Sequence, residues 1–290
     1  MKEQRSFVDN SKGCLFLVPT PIGNLEDMTF RAVNTLKEAD LVAAEDTRNT
    51  KNLLNHFEIS TELISFHEHN TAQRIPELIE KMNAGQKIAQ VSDAGTPSIS
   101  DPGKELVKAA IKEKIPVVPL PGATASVTAL IASGIAPQPF YFYGFLPRKG
   151  KERTAVLVDL AQRFETTIVY ESPYRVKKTI QDLIENFGPK RQITLARELT
   201  KIHEAFLRGT LEQVADYYQE NDPKGEYVLI ISGKPVEAIK AESDSDLVSA
   251  IDDLIEQGQK PNKAIKEVAL QNGLKKQAVY NLYHGIGEEE

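Results

Sequence analysis

Short apolar runs in this chain are followed by loops rich in glycine and proline, and then by stretches of helical periodicity. In the first half the runs fall at residues 15–18, 41–44, 88–91 and 116–118. Such a repeat returns the chain to the same side of a sheet before each new strand. Parallel strands with helices on both faces result, so the fold class is α/β. After Ser100-Asp101-Pro102-Gly103, the residues Leu106, Val107, Ala110 and Ile111 share one helical face. Asp101 is the expected N-cap there and Pro102 the first helical residue.

A second series of runs, at 140–143, 167–170, 193–196 and 227–232, predicts a second α/β domain beginning near Gly122. At 290 residues the chain exceeds the size of one ordinary domain, about 100–200 residues. The stretch from Lys234 to Asp246 is polar and aperiodic and reads as a linker. Beyond it, three apolar stripes predict three short helices: Leu247, Ile251, Leu254 and Ile255; then Ile265, Val268 and Ala269; then Val279, Leu282 and Tyr283. A break at Asn272-Gly273 gives them a helix-turn-helix-like outline, with Lys275, Lys276 and Gln277 exposed on the last helix. An oligomerisation or lid module fits the same pattern. The expected domains are 1–121, 122–235 and 243–287.

Charge and composition narrow the function. The formal net charge is −6, which argues against a chain that coats nucleic acid by bulk attraction, so any RNA contact must be local. Basic clusters are available at Arg148, Lys149, Lys151 and Arg153, at Arg175, Lys177 and Lys178, and at Lys263, Lys266, Lys275 and Lys276. The single cysteine, Cys14, forms no intramolecular disulfide, and no tract reaches the roughly 18 apolar residues of a membrane-spanning helix. The polar opening carries no signal-peptide core, so the expected location is the cytoplasm, with no membrane partner.

The dinucleotide G-x-G-x-x-G, the Walker loop, the G-x-S-x-G elbow and H-E-x-x-H are all missing. Three other loops stand directly after strands, where open α/β sheets bind ligands. They are Pro19-Thr20-Pro21-Ile22-Gly23-Asn24-Leu25, the segment from Ser92-Asp93-Ala94-Gly95-Thr96-Pro97 to Gly103, and Pro119-Leu120-Pro121-Gly122-Ala123-Thr124-Ala125-Ser126. One such loop is only a turn, but three on successive strands of one sheet exceed what turning requires.

Together with Ala44-Glu45-Asp46-Thr47-Arg48, Ser65-Phe66-His67-Glu68-His69-Asn70, Tyr170-Glu171-Ser172 and Leu195-Ala196-Arg197-Glu198-Leu199-Thr200-Lys201, these loops resemble the ribosomal RNA small subunit methyltransferase I family. The likeness runs from about Leu15 to Gly233 and continues into the helical tail. It implies a fold similar to the tetrapyrrole methylases, with two α/β domains around S-adenosylmethionine, usually as a homodimer. It also implies methylation of a cytidine 2′-oxygen at the decoding centre of 16S rRNA in the small subunit. The prolines at 19 and 21 depart from the Gly-rich first loop of the tetrapyrrole enzymes and favour the RNA branch. By the same resemblance Pro21, Ile22, Gly95, Thr96, Ile99, Thr124, Ala125, Glu171 and Tyr227 are cofactor-site candidates.

Methyl transfer is an in-line displacement that depends on positioning, and a ribose hydroxyl gains from a proton acceptor. Glu45, Asp46, His67 and Glu171 are the candidates, with Glu45 and His67 slightly ahead. The Glu45–Arg48 run also fits a helix N-terminus, where acidic side chains complement the dipole. No metal is required, since His67-x-His69 lacks a third ligand. Arg48 suits a bidentate phosphate contact. Arg148, Lys149, Lys151, Arg153, Arg175 and Lys178 are candidate RNA contacts, with Phe66, Tyr141 or Tyr143 as stacking platforms. Two rival functions remain: a tetrapyrrole methyltransferase, and a non-catalytic RNA- or ribosome-binding protein on the same fold.

Overall fold

The computed structural model of the chain describes residues 3–6, 13–235 and 243–286. Two compact units result, residues 1–234 and 235–290. The first contains two five-stranded sheets.

The first sheet is built from β1 (Cys14–Leu17), β2 (Leu41–Ala44), β3 (Leu63–Ser65), β4 (Lys87–Val91) and β5 (Val117–Pro119), in the order β3-β2-β4-β1-β5 and parallel throughout. β1 and β2 read as unbroken apolar runs because both faces are covered. Alternate residues go to opposite sides. Val42, Ala44, Ala89 and Val91 pack with Ala32 and Leu36 of α1 (Phe30–Glu38) and Leu54 of α2 (Thr47–His56). Leu15, Leu41, Ala43 and Ile88 pack with Leu78 and Met82 of α3 (Thr71–Asn83) and with Leu106 and Ala110 of α4 (Lys104–Lys112). The edge at β5 is covered by Gln4, whose amide exchanges two hydrogen bonds with the Val117 backbone at 2.8 and 3.0 Å.

α4 starts later than expected: its N-cap is Gly103, with φ +141°, and neither Asp101 nor Pro102 holds the expected position. Gln90, buried on β4, accounts for this. Its Nε2 donates to the Pro102 carbonyl at 2.7 Å and to Ser98 Oγ at 3.3 Å, pinning the preceding loop. The φ of residue 103 favours glycine, and a Cβ there would displace the same Gln90 amide.

α5 (Ala125–Ser133) follows β5 in sequence but packs on the second sheet. That sheet comprises β6 (Phe140–Phe145), β7 (Thr166–Glu171), β8 (Gln192–Arg197), β9 (Ala205–Thr210) and β10 (Tyr227–Ile231), ordered β6-β7-β10-β8-β9. Only β6–β7 is parallel; β7–β10, β10–β8 and β8–β9 are antiparallel. β8 and β9 are joined by residues 198–204 without a crossover helix, which forces an antiparallel pair. Val228 and Ile230 face α5, while Leu229 and Ile231 face α6 (Gly150–Gln162), α7 (Pro173–Phe187) and α8 (Leu211–Glu220).

The 235–290 unit holds α9 (Asp244–Glu256), α10 (Pro261–Gln271) and α11 (Lys276–Tyr283) around Leu247, Ile251, Ile265, Val268 and Val279. Ser243 caps α9, its side chain accepting from the Asp246 amide, so this helix begins inside the stretch read as a linker. The remainder of that stretch, residues 236–242, lies outside the described residues, as does residue 287. Lys275, Lys276 and Gln277 are exposed. Among the described residues no helix is long and apolar enough to cross a membrane.

Candidate functional site

The carboxyl ends of β1, β2, β4 and β5 face the second sheet across a cavity of about 450 Å³. From the first half it is lined by Ile22, Glu45, Asp93 to Thr96, Ile99 to Asp101, Thr124 and Ala125. From the second half come Phe145, Tyr170 to Pro173, Ala196, Glu198, Leu199, Lys201 and Glu226 to Val228. Because β10 runs antiparallel, its amino end meets the carboxyl ends of β7 and β8 at this wall.

Backbone hydrogen bonds fix the loops against each other. Thr20 and Gly95 exchange N–H···O bonds of 3.0 Å in both directions. Ser92 Oγ donates to the Gly95 carbonyl at 3.2 Å, and Thr96 Oγ1 to the Ala123 carbonyl at 3.1 Å. Gly95 has φ +80°, and a Cβ there would lie 3.2 Å from Ile22 Cγ2 and 3.5 Å from the Ala123 oxygen, so a larger side chain would enter the cavity region. Three of the five non-glycine residues with positive φ among the described residues, Ser98, Glu198 and Thr200, stand in these loops. Conformations of this kind persist where the surroundings impose them and concentrate at functional sites.

On the second side, Lys201 Nζ bridges Glu198 Oε1 at 2.9 Å and Glu226 Oε2 at 2.8 Å. Partial burial pushes the Glu198 carboxyl up, but the hydrogen bonds from Lys201 and the Glu226 amide, with the Lys201 charge, outweigh it and hold the group below its ordinary value. The Lys201 stem and the Thr200 side chain lie against Gly23, where a Cβ would collide, so the first loop docks directly on the second half.

The first half presents an acidic wall. Burial, followed by the charges of Asp101 and Asp93, raises the Glu45 carboxyl above its ordinary value. Burial likewise raises Asp101. Tyr170, also raised by burial, accepts a 3.1 Å bond from the Ser126 amide, with Phe142 and Phe145 edge-on to its ring at 5.0 and 5.5 Å. An acidic, partly apolar cavity walled by backbone amides and carbonyls suits a cationic nucleoside.

Ile22, Gly95, Thr96, Ile99, Thr124, Ala125, Glu171 and Tyr227 all line the cavity, and so does Glu45. Pro21 faces a neighbouring cavity instead. Glu171 has a structural task that conflicts with proton transfer. It is 3% exposed, and its oxygens accept from the Ser172 amide at 2.8 Å and Thr179 Oγ1 at 2.7 Å, with Arg175 Nε at 3.3 Å. Asp46 caps α2, accepting from the Arg48 amide at 2.8 Å and pairing with Arg48 Nη2 at 2.6 Å, which holds its carboxyl down at about 2. Neither Asp46 nor His67 lines the cavity. The His67 ring sits between Asn70, 3.3 Å from Nε2, and His69, 6.0 Å between centroids.

Among the expected RNA contacts, Arg148, Lys149 and Lys151 are exposed around the start of α6, Lys178 is exposed on α7, and the Arg48 side chain is 88% exposed. Arg153 must be removed from this group. It is 5% exposed and bonded to Asp182 Oδ2 at 2.7 Å, Thr179 Oγ1 at 2.9 Å and the Pro147 carbonyl at 2.9 Å. Arg175 is turned inward too, towards Glu171 and the Leu146 carbonyl. Phe66, at 1% exposed, is core and no platform. Tyr141 and Tyr143 pack against the core of the second sheet, and the Arg163 guanidinium covers the Tyr141 ring at 3.8 Å. Asp93, Tyr170, Glu198 and Lys201 were given no role by the sequence and Asp101 only that of a helix cap, although all stand in or beside the motif segments.

The family model described as Tetrapyrrole (Corrin/Porphyrin) Methylases matches residues 14–215. A Streptococcus pyogenes protein named ribosomal RNA small subunit methyltransferase I is 52% identical over 288 residues, covering 99% of this chain and 100% of that one. A Halalkalibacterium halodurans protein of the same name is 50% identical, covering 98% and 99%. Among solved structures, uroporphyrin-III C-methyltransferase from Thermus thermophilus, complexed with S-adenyl homocysteine, superposes with a TM-score of 0.54 at 21% identity, over 76% of this chain and 97% of that one, a likeness of fold.

Proposed function

The chain belongs to the tetrapyrrole methylase family, among its ribosomal RNA small subunit methyltransferase I members, and from that premise we propose that it transfers a methyl group from S-adenosylmethionine to the ribose 2′-hydroxyl of a cytidine in the decoding region of 16S rRNA. The observation that carries this reading is the acidic cavity shared by the two sheets. Bound there, S-adenosylmethionine supplies an electrophilic methyl carbon on a sulfonium. The residues around it do the rest. Glu45, Asp93 and Asp101 complement the positive charge, an attraction strengthened by partial burial. The Gly95-Thr96 turn, Thr124 and Ala125 offer backbone groups to the nucleoside, and Phe145 and Tyr170 give an apolar face.

Glu45 is the proton acceptor in this proposal. It lines the cavity, and its raised carboxyl is a stronger base than an exposed glutamate. With the methyl donor held in the cavity, the Glu45 carboxylate would take the proton of the ribose hydroxyl as that oxygen is methylated. The exposed Arg148, Lys149 and Lys151, with Lys178 and Arg48, would hold the RNA backbone. The substrate is the small ribosomal subunit, met in the cytoplasm. A homodimer also belongs to this reading. It is supported by α5, where Val127 and Ile131 stand 41% and 76% exposed on one face, four residues apart.

The test is transfer of radiolabelled methyl from S-adenosylmethionine to small subunits lacking the modification, followed by nuclease mapping of the labelled sugar. Label on a cytidine 2′-oxygen is expected. Cofactor binding with no label on RNA would point to a tetrapyrrole substrate, and no cofactor binding to a non-catalytic RNA-binding protein.

A further inference from the structure

A second cavity, of about 340 Å³, adjoins the first and shares Asp93 with it. The loop 19–25 runs between the two: Ile22 lines the cofactor cavity, while Pro21 and Gly23 line the second. The paired bonds between Thr20 and Gly95 hold this partition in place. On the far side, α2 contributes Asn49, Asn52 and Leu53. Asn49 and Asn52 are one turn apart on the same helical face and both are exposed.

We infer that this second cavity seats the target nucleotide, turned out of the RNA, with its base against Asn49 and Asn52 and its ribose hydroxyl over Asp93 towards the cofactor cavity. The inference rests on the proposed function and deepens it. Its volume falls within the about 300–1,000 Å³ typical of small-ligand sites. Its lining contains no lysine or arginine and one carboxylate, so it selects a neutral, hydrogen-bonding group rather than a phosphate. Arg48, next to Asn49 and exposed, is placed for the phosphate outside. Asn49 Nδ2 already donates to Asp93 Oδ2 at 3.3 Å, which leaves its carbonyl oxygen to accept. That oxygen favours a base with an exocyclic amine, such as cytosine, over uracil. Pro21 and Leu53 supply apolar surface for the ring. Asp93 also accepts from the Asp46 amide at 3.1 Å, so the carboxylate common to both cavities is fixed before substrate arrives.

The experiment uses the full chain and small subunits lacking the modification. Asn49→Leu and Asn52→Leu change exposed side chains, and unchanged S-adenosylmethionine affinity by calorimetry reports an intact fold. Each is expected to raise KM for subunits about tenfold, the size of one lost base contact, with cofactor Kd unaltered. As a readout on the unmutated protein, 5-iodocytidine placed at the mapped nucleotide should photocrosslink to the peptide containing residues 49–53 or to the 19–25 loop. Wild-type KM in both variants, with crosslinks only elsewhere, would overturn the cavity assignment while leaving the methyltransferase reading in place. A wild-type protein that does not label the subunit would overturn the methyltransferase reading itself.

Discussion

Arg153 separates what the sequence suggests from what the fold imposes. In a run of basic residues it reads as an RNA contact; in the structure it is buried and bonded to Asp182, Thr179 and the Pro147 carbonyl. Arg153→Leu would leave the Asp182 carboxylate, 15% exposed at the side chain, without its buried cation. Removing one partner of a buried pair costs about 3–5 kcal/mol. Lys178 Nζ, 3.2 Å from Asp182 Oδ1, remains and places the expected loss near the lower end, about 3 kcal/mol. For a unit of this size each kcal/mol lowers Tm by about 2–4 °C, so a fall of about 6–12 °C is expected. Scanning calorimetry measures it, and filter binding of rRNA at several salt concentrations should give an unchanged slope. Arg153→Leu combined with Asp182→Leu should lose less than the sum of the single changes, because neither charge is then stranded. A variant with unaltered Tm and a shallower salt slope would refute the reasoning and return Arg153 to the RNA surface.

Four further outcomes are expected. Gly95→Trp should abolish cofactor binding in a titration while the circular dichroism stays native, because the residue borders the cavity at φ +80°; unaltered affinity would take the turn out of the site. The methylation rate should climb as pH rises through a Glu45 value above that of an ordinary carboxylate, and Glu45→Gln should remove that limb. A carboxyl raised on folding binds its proton more tightly in the native state, so its contribution to stability is lost as pH rises through the folded value. Glu45→Gln should therefore raise Tm near pH 7 and do less below about pH 4; the reverse pattern would contradict the burial argument. Replacing Arg148, Lys149 and Lys151 by serine should flatten the slope of log binding constant against log salt by about 2–3, with cofactor affinity untouched, and an unchanged slope would move the RNA surface elsewhere.

The central strands were legible because they are covered on both sides and spelled in unbroken apolar residues, such as 41–44. The two strands that escaped notice, β3 and β9, are edges. β3 has three half-buried residues, and β9 carries Arg208 and Gly209, so neither shows a run or a clean alternation. The cavity loops were legible as Gly/Pro segments after strands, and eight of the nine residues expected to hold the cofactor line one cavity. The roles of charged side chains were not. Whether Glu171 is a base or an anchor depends on Ser172, Thr179 and Arg175 filling its coordination, and Arg153 differs from Lys151 only in which way it faces across α6.

The placement of α5 has a mechanical consequence. Its first residue, Ala125, borders the cavity with Thr124, while Ala129 and Leu130 are buried against Ile168, Ala196, Val228 and Ile230 of the second sheet. That edge of the binding site therefore travels with the second sheet, although it directly follows the last strand of the first. The covalent tie between the halves is the short run Pro119-Leu120-Pro121-Gly122. Two of its four φ angles are locked by proline rings, and Gly122 is pressed against Pro19 so closely that a Cβ there would overlap it. The tie is short and braced against Pro19, so a shift of α5 with the second sheet would be felt at the end of β5.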